Sequence, residues 1–292
     1  MAGTTADATA FRLVQTAPVR HDTQALEASA MSTPAAPTAR VDADALEQKV
    51  KAMYRDVALA PHGRFHFEMG RALAERLGYA PADLDAIPSD SIDSFAGVGH
   101  YFDLAHLTPG ETVVDLGSGS GTDSFIAAGK VGQTGSVIGI DMTDEQLAKA
   151  ERLRAAGGFA NVTYRKGYID ATGLADASCD VVISNGVINL APDKRTVFRE
   201  AARLLRPGGR LALADIVTES QLPDGITCDA TLWAACIGGA MQVDSYTSAI
   251  EAAGLRVSHL RDNPQYQFIS KNAQGAARQY GVKSVSLIAT RA

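Results

Sequence analysis

Three glycines and two carboxylates carry the first chemical signal in this chain. In the run VVDLGSGSG, Gly117, Gly119 and Gly121 follow Asp115 at the end of an apolar stretch. Glycines let a ligand approach the backbone without a Cβ clash, and a helix starting near Thr122 offers free N–H groups. A dinucleotide-binding turn places its third glycine three positions after the second. Here that position is Thr122, and Asp115 would repel a pyrophosphate, so the pair suits a cationic or amino group instead. Asp141 ends the next apolar run, 20 residues after Gly121. A carboxylate there can accept both hydroxyls of a ribose. Met142 offers an apolar contact for an adenine face. Gly167-Tyr168-Ile169-Asp170 and the Ser184-Asn185 pair end two further runs and add backbone and amide partners.

These groups meet only if a parallel sheet lines up the strand ends. The apolar runs 112–117, 136–141, 162–167, 180–185 and 210–216 alternate with helix-period stretches such as DEQLAKAERLRAA and KRTVFREAARLL. Near-continuous apolar strands separated by helices predict a doubly wound parallel sheet covered on both faces. Two more strands are expected over 256–262 and 285–291, with an irregular final pair.

Ahead of the sheet the texture is helical. Leu46, Val50, Met53 and Val57 share one face of a helix over 42–59, and a second helix is expected over 65–77. A turn with a short helix is expected over 79–88. Residues 1–40 are rich in Ala and Thr without a hydrophobic period, and a disordered tail is expected there. The expected organisation is a tail (1–40), a helical cap (41–108) and a sheet core (109–292).

Hydrophobic residues make up 46% and charged residues 21%, which excludes wholesale disorder. Lys and Arg number 27 against 33 Asp and Glu, with no basic block. Nucleic acid is a poor partner for such a chain, and no apolar run of about 18 residues exists for membrane insertion. Cys179, Cys228 and Cys236 form an odd set without CxxC. No disulfide framework and no metal site are expected, and a cytoplasmic location is the simplest reading.

Together these motifs resemble the class I S-adenosylmethionine-dependent methyltransferases over residues 109–216. GIDMTDEQL, RKGYID, SNGVINLAPDKR and LWAACIGGA narrow the resemblance to the arsenite methyltransferase-like branch, kin to the ubiquinone/menaquinone type, over roughly 70–255. The resemblance implies a Rossmann-like core of seven strands with the last inserted antiparallel. It implies S-adenosylmethionine as cofactor, with Asp115, Gly117, Ser118 and Gly119 at the methionine part. Asp141 would hold the ribose and Met142 the adenine. Gln146, Tyr168, Ile169 and Asn185 would complete the wall.

The resemblance also implies thiolates for As(III), since a soft centre prefers sulfur ligands. This chain departs from that pattern. Gly186 stands where the family has a cysteine in SNGVINL, no cysteine precedes Cys179, and only Cys236 matches a family position. Methyl transfer to a small-molecule acceptor is therefore expected, with arsenite discounted as the acceptor. His100 is expected as a base because the glycines around Val98 allow a close bend; His66 and Tyr54 are further candidates. Trp233, Cys236 and Tyr266 are expected to roof the acceptor pocket. A nicotinamide-dependent oxidoreductase and a non-catalytic cofactor-binding protein remain alternatives, and the acceptor atom and a homo-oligomer stay open.

Overall fold

A single twisted sheet carries the strand ends. In the computed structural model the described residues are 41–227, 233 and 237–292. The expected tail, Cys228 and Cys236 lie outside them. The strands are β1 (Thr112–Leu116), β2 (Ser136–Asp141), β3 (Val162–Lys166), β4 (Cys179–Asn185), β5 (Leu205–Thr218), β6 (Met241–Gln242), β7 (Leu255–Asp262) and β8 (Lys283–Arg291). Their order is β3-β2-β1-β4-β5-β8-β7, and the two-residue β6 pairs with β5. β1 to β5 run parallel, while β8 lies antiparallel between β5 and β7. The expected doubly wound α/β core with an inserted antiparallel strand is what forms, with β6 as a short addition.

Alternate residues of each strand feed opposite faces. Val113, Val137, Val181 and Ala212 enter one apolar layer, which also takes Phe125 of α6 (Thr122–Val131). Val114, Leu116, Val182 and Leu213 enter the other, against Phe198 and Tyr246. Burying each large side chain contributes about 1.5–3 kcal/mol. Because the chain winds outward from β1 to β3 and then returns to β4, a crevice opens at the carboxyl ends of β1 and β4.

The helical section packs on the first layer. Asp42 caps α1 (Ala43–Leu59) by accepting from the Asp44 and Ala45 N–H groups, both at 3.1 Å. Leu46, Val50 and Val57 are buried, as the periodicity predicts. The second helix is shorter than expected. It covers Arg71–Leu77 (α2), because Gly70 sits at φ +86° and cannot continue a helix from Phe65. Short helices α3 (Pro81–Asp85), α4 (Ser89–Asp93) and α5 (Phe102–Ala105) follow. Leu73, Leu77, Leu84 and Tyr101 join the same apolar cluster as Val113, and the described residues from 41 onward belong to one compact unit. Helical residues and sheet residues therefore share one apolar core.

β5 also starts earlier than its apolar run. RPGG bulges out between the pairs Cys179↔Leu205 and Val181↔Arg210, with Gly208 at φ +78°. No helix among the described residues is long and apolar enough to cross a membrane.

Candidate functional site: a cleft at the carboxyl ends of the strands

A cleft of about 280 Å³ lies over the ends of β1, β2 and β4. All ten residues expected at the cofactor line it: Asp115, Gly117, Ser118, Gly119, Asp141, Met142, Gln146, Tyr168, Ile169 and Asn185. The opposite wall comes from α1, through Leu46, Val50 and Tyr54, and from the loop Ser94–Gly97.

The glycine turn is shaped by protein and ligand-facing needs at different positions. Gly117 has φ +76°, and a Cβ there would meet Val187 at 2.5 Å. Gly119 also has positive φ (+52°), but the nearest atom to its Cβ position is Gln146 Oε1 at 3.7 Å. Gly117 is thus dictated by packing, whereas Gly119 leaves room above the turn. Between them Ser118 is buried, and its hydroxyl has no hydrogen-bond partner. A buried orphan hydroxyl is costly and marks a place for an absent partner.

Carboxylates surround this turn. Asp115 is 2% exposed and accepts from Ser124 Oγ at 2.6 Å. Burial, reinforced by nearby Asp123, pushes its carboxyl up to about 8. Asp141 holds the turn in place, accepting from the Gly119 N–H at 2.9 Å and the Thr143 N–H at 2.8 Å. Burial raises its pKa in spite of those bonds. Gln146, on α7 (Asp144–Gly157), receives the Ser120 hydroxyl at 2.5 Å and donates to the Tyr54 carbonyl at 2.8 Å, tying the turn to α1. At the rim, the Tyr168 hydroxyl donates to Glu47 at 2.8 Å and receives from Lys51 at 3.2 Å.

Asn185 lines the cleft and also ties its helical wall to the sheet. Its Oδ1 accepts from the N–H groups of Val98 (2.8 Å) and Gly99 (3.3 Å). Its Nδ2 faces the Gly99 carbonyl, the Tyr79 hydroxyl and Asp123 Oδ2, at 3.0, 3.0 and 3.1 Å. The amide is spent on holding the Val98–Gly99 bend against the sheet.

Asp123 is the cleft residue that sequence reasoning missed. It accepts the hydroxyls of Tyr79 and Tyr101, each at 2.7 Å, and is buried. Burial raises its pKa against those stabilising bonds. The signal was present: it is the acid in the first turn of the helix after the glycines, where a negative charge meets the helix dipole. Its tyrosines, 44 and 22 residues upstream, left no such trace.

The expected catalytic and acceptor residues separate. Tyr54 lines the cleft, whereas His100 and His66 do not. The His100 ring packs edge-on to Tyr79 at 4.9 Å, with Nδ1 3.3 Å from Asp103, because the Val98–Gly99 bend turns it toward α5 rather than the cleft. Burial lowers its pKa. The His66 ring rests edge-on against Phe67 at 4.8 Å. Trp233 is buried away from the cleft lining, its Nε1 donating to the Thr227 carbonyl at 2.6 Å. Tyr266 packs on Phe268 at 5.2 Å, also off the lining. Cys236 falls outside the described residues. Cys179 sits at the far end of β4, where burial pushes its thiol up to about 12.

Residues 107–254 match the family model described as a methyltransferase domain. The chain belongs to this methyltransferase-domain family. Among its relatives, an arsenite methyltransferase of Halobacterium salinarum is 42% identical over 198 residues, which is 68% of this chain and 50% of that protein. Another, from Aquipseudomonas alcaligenes, is 49% identical over 146 residues, covering 46% of this chain and 41% of its own. The chain thus spans about half the length of these curated relatives. The arsenic(III) S-adenosylmethionine methyltransferase of Chlamydomonas reinhardtii superposes with a TM-score of 0.56 at 29% identity, over 76% of this chain and 74% of its own. Over this methyltransferase domain the chain is similar to arsenite methyltransferases, and S-adenosylmethionine is the cofactor that goes with such a domain. The orphan Ser118 hydroxyl, the room above Gly119 and the buried acids fit such a cationic nucleoside.

Proposed function

We propose that this chain transfers the methyl group of S-adenosylmethionine to a small-molecule acceptor held in the cleft. The observation that carries this reading is the juxtaposition of Asp115, Ser118, Gly119 and Asp141 on one lining, with the serine hydroxyl unpartnered. When bound, the sulfonium supplies an activated methyl with its leaving group attached. The chain then has to bind, orient and exclude water. Asp141 would hold the ribose hydroxyls with the lone pairs left after Gly119 and Thr143. Met142 and Ile169 would flank the adenine. Asp115 and Asp123 would face the positive charges, and Ser118 would take the polar partner it lacks. Orientation of two reactants can contribute roughly 7–11 kcal/mol to such a displacement. Tyr54 is the expected polar group on the α1 wall for an acceptor that must lose a proton. With His100 turned away, no step is assigned to it.

Arsenite is the second reading, favoured by the names of the relatives. The thiolates speak against it. Gly186 lies at φ +72°, where a Cβ would come 3.1 Å from Val98 Cγ1, so the family cysteine is poorly accommodated. Cys179 is buried at the wrong end of its strand. Cys228 and Cys236 are the remaining thiols.

Titration with S-adenosylhomocysteine and with NAD, followed by a labelled-methyl assay on arsenite, thiol, amine and phenol acceptors, tests the proposal. S-adenosylhomocysteine binding and turnover of one class are expected. Preference for NAD would return the oxidoreductase reading. Tight nucleoside binding without turnover of any acceptor would leave a non-catalytic binding protein.

A further inference from the structure

Every charged side chain on the described lining of the cleft is an Asp or Glu. Asp115 and Asp123 are buried, Asp141 and Glu47 are partly exposed, and Asp44 and Asp170 lie at the mouth; no Lys, Arg or His joins them. The cations just behind the lining already face acids. Lys51 bonds Glu47 at 2.5 Å. Lys149 donates to Ser94 Oγ at 2.7 Å and lies in the field of Asp90 and Asp93. Lys194 donates to the Ala191 carbonyl at 3.1 Å and lies in the field of Asp215 and Asp193. The Ser118 hydroxyl on the same lining is buried and unpartnered.

S-adenosylmethionine carries a sulfonium, an ammonium and one carboxylate, a net charge of one positive unit. Its positive charge favours ionisation of Asp115, whose carboxyl burial otherwise pushes up to about 8, so it balances one of the two buried acids and leaves the other. Charges inside a cleft are screened less by salt than those on an open surface. Transfer also moves charge. The acceptor lone pair forms the new bond to carbon, the carbon–sulfur pair returns to sulfur as a neutral thioether, and the acceptor gains the positive unit. Surrounding carboxylates favour that gain.

We infer that the acceptor of this cleft is uncharged or cationic, and that the cleft itself rejects anionic acceptors. The inference rests on the methyl-transfer reading. It admits an uncharged As(III) hydroxide, amines and thioethers alike, and it disfavours carboxylated or phosphorylated compounds.

The test uses the full chain and matched pairs differing by one anionic group: ethanolamine and phosphoethanolamine, catechol and its carboxylated form, with arsenite as an uncharged probe. Labelled-methyl transfer from S-adenosylmethionine is measured at limiting acceptor. In any pair that turns over, the member without the anion is expected to react at least about tenfold faster; equal or faster reaction of the anion overturns the inference. A second readout needs no acceptor. The association rate of S-adenosylmethionine is expected to fall as salt rises from about 20 to 500 mM, as for a cation entering a negative cleft; a flat or rising rate overturns the inference. Failure of S-adenosylmethionine to bind at all would instead remove the methyl-transfer reading on which it rests.

Discussion

The two walls of the cleft are held by different kinds of bond. On the sheet side, Asp115 and Asp141 stand at strand ends, and backbone N–H groups fix the turn between them: Gly117 and Ser118 both donate to the Ile140 carbonyl, and Gly119 donates to Asp141. On the helical side, α1 and the 94–99 loop are tied down through side chains, namely Gln146 to the Tyr54 carbonyl, Asn185 to the Val98–Gly99 bend, and Tyr79 and Tyr101 to Asp123. A backbone-fixed wall tolerates little change and suits an invariant nucleoside. A wall fixed by side chains can be re-tuned by single substitutions and suits a variable acceptor.

The largest expected effect lies on the sheet side. Asp141→Ala removes two bonds to a charged group, each worth about 1.5–3 kcal/mol, and frees the Gly119 N–H. S-adenosylhomocysteine affinity should fall about 100-fold by isothermal titration, and an intact affinity would sink the ribose assignment. Asp123→Asn, where the two walls meet, should cost about tenfold for S-adenosylhomocysteine and almost nothing for 5′-methylthioadenosine, which lacks the amino-acid tail. Equal losses for both ligands would make Asp123 a purely structural tie.

Acidity sharpens the same contrast. The Asp115 carboxyl titrates at about 8 in the folded chain against 3.8 ordinarily, so the folded state holds a proton that the unfolded state has lost. Stability of the free protein should therefore decline as pH rises through that window. A bound cation reverses the preference. S-adenosylmethionine affinity should climb from pH 6 toward 8, by less than about tenfold per unit, and Asp115→Asn should flatten the climb. His100→Ala is expected to leave kcat/KM within about twofold while lowering stability by roughly 1–2 kcal/mol through lost packing on Tyr79. A collapse of kcat with stability intact would restore His100 to the chemistry. The smallest effect belongs to the rim. Tyr168→Phe breaks the exposed bonds to Glu47 and Lys51 and should change nucleoside dissociation by about twofold in stopped flow.

The sequence disclosed the sheet wall far better than the helical wall. VVDLGSGSG and GIDM are contiguous, and their neighbours in space are their neighbours along parallel strands, so period and glycine spacing sufficed. The bends and ties of the helical wall join residues far apart in the chain. Nothing local shows that Asn185 spends its amide on residues 98 and 99, or that the bend it fixes turns His100 away. The overlong second helix failed for a local reason, since Gly70 at positive φ ended a pattern that periodicity alone would have extended. Trp233 and Tyr266 were placed near an acceptor on aromatic character, which core packing satisfies equally well.

A crystal structure of the full chain grown with S-adenosylhomocysteine tests the central claim most directly. The nucleoside should lie across the ends of β1 and β2, with its ribose hydroxyls on Asp141 and a polar group on Ser118 Oγ. Clear density for it elsewhere on the molecule, with Ser118 still unpartnered, would contradict the account.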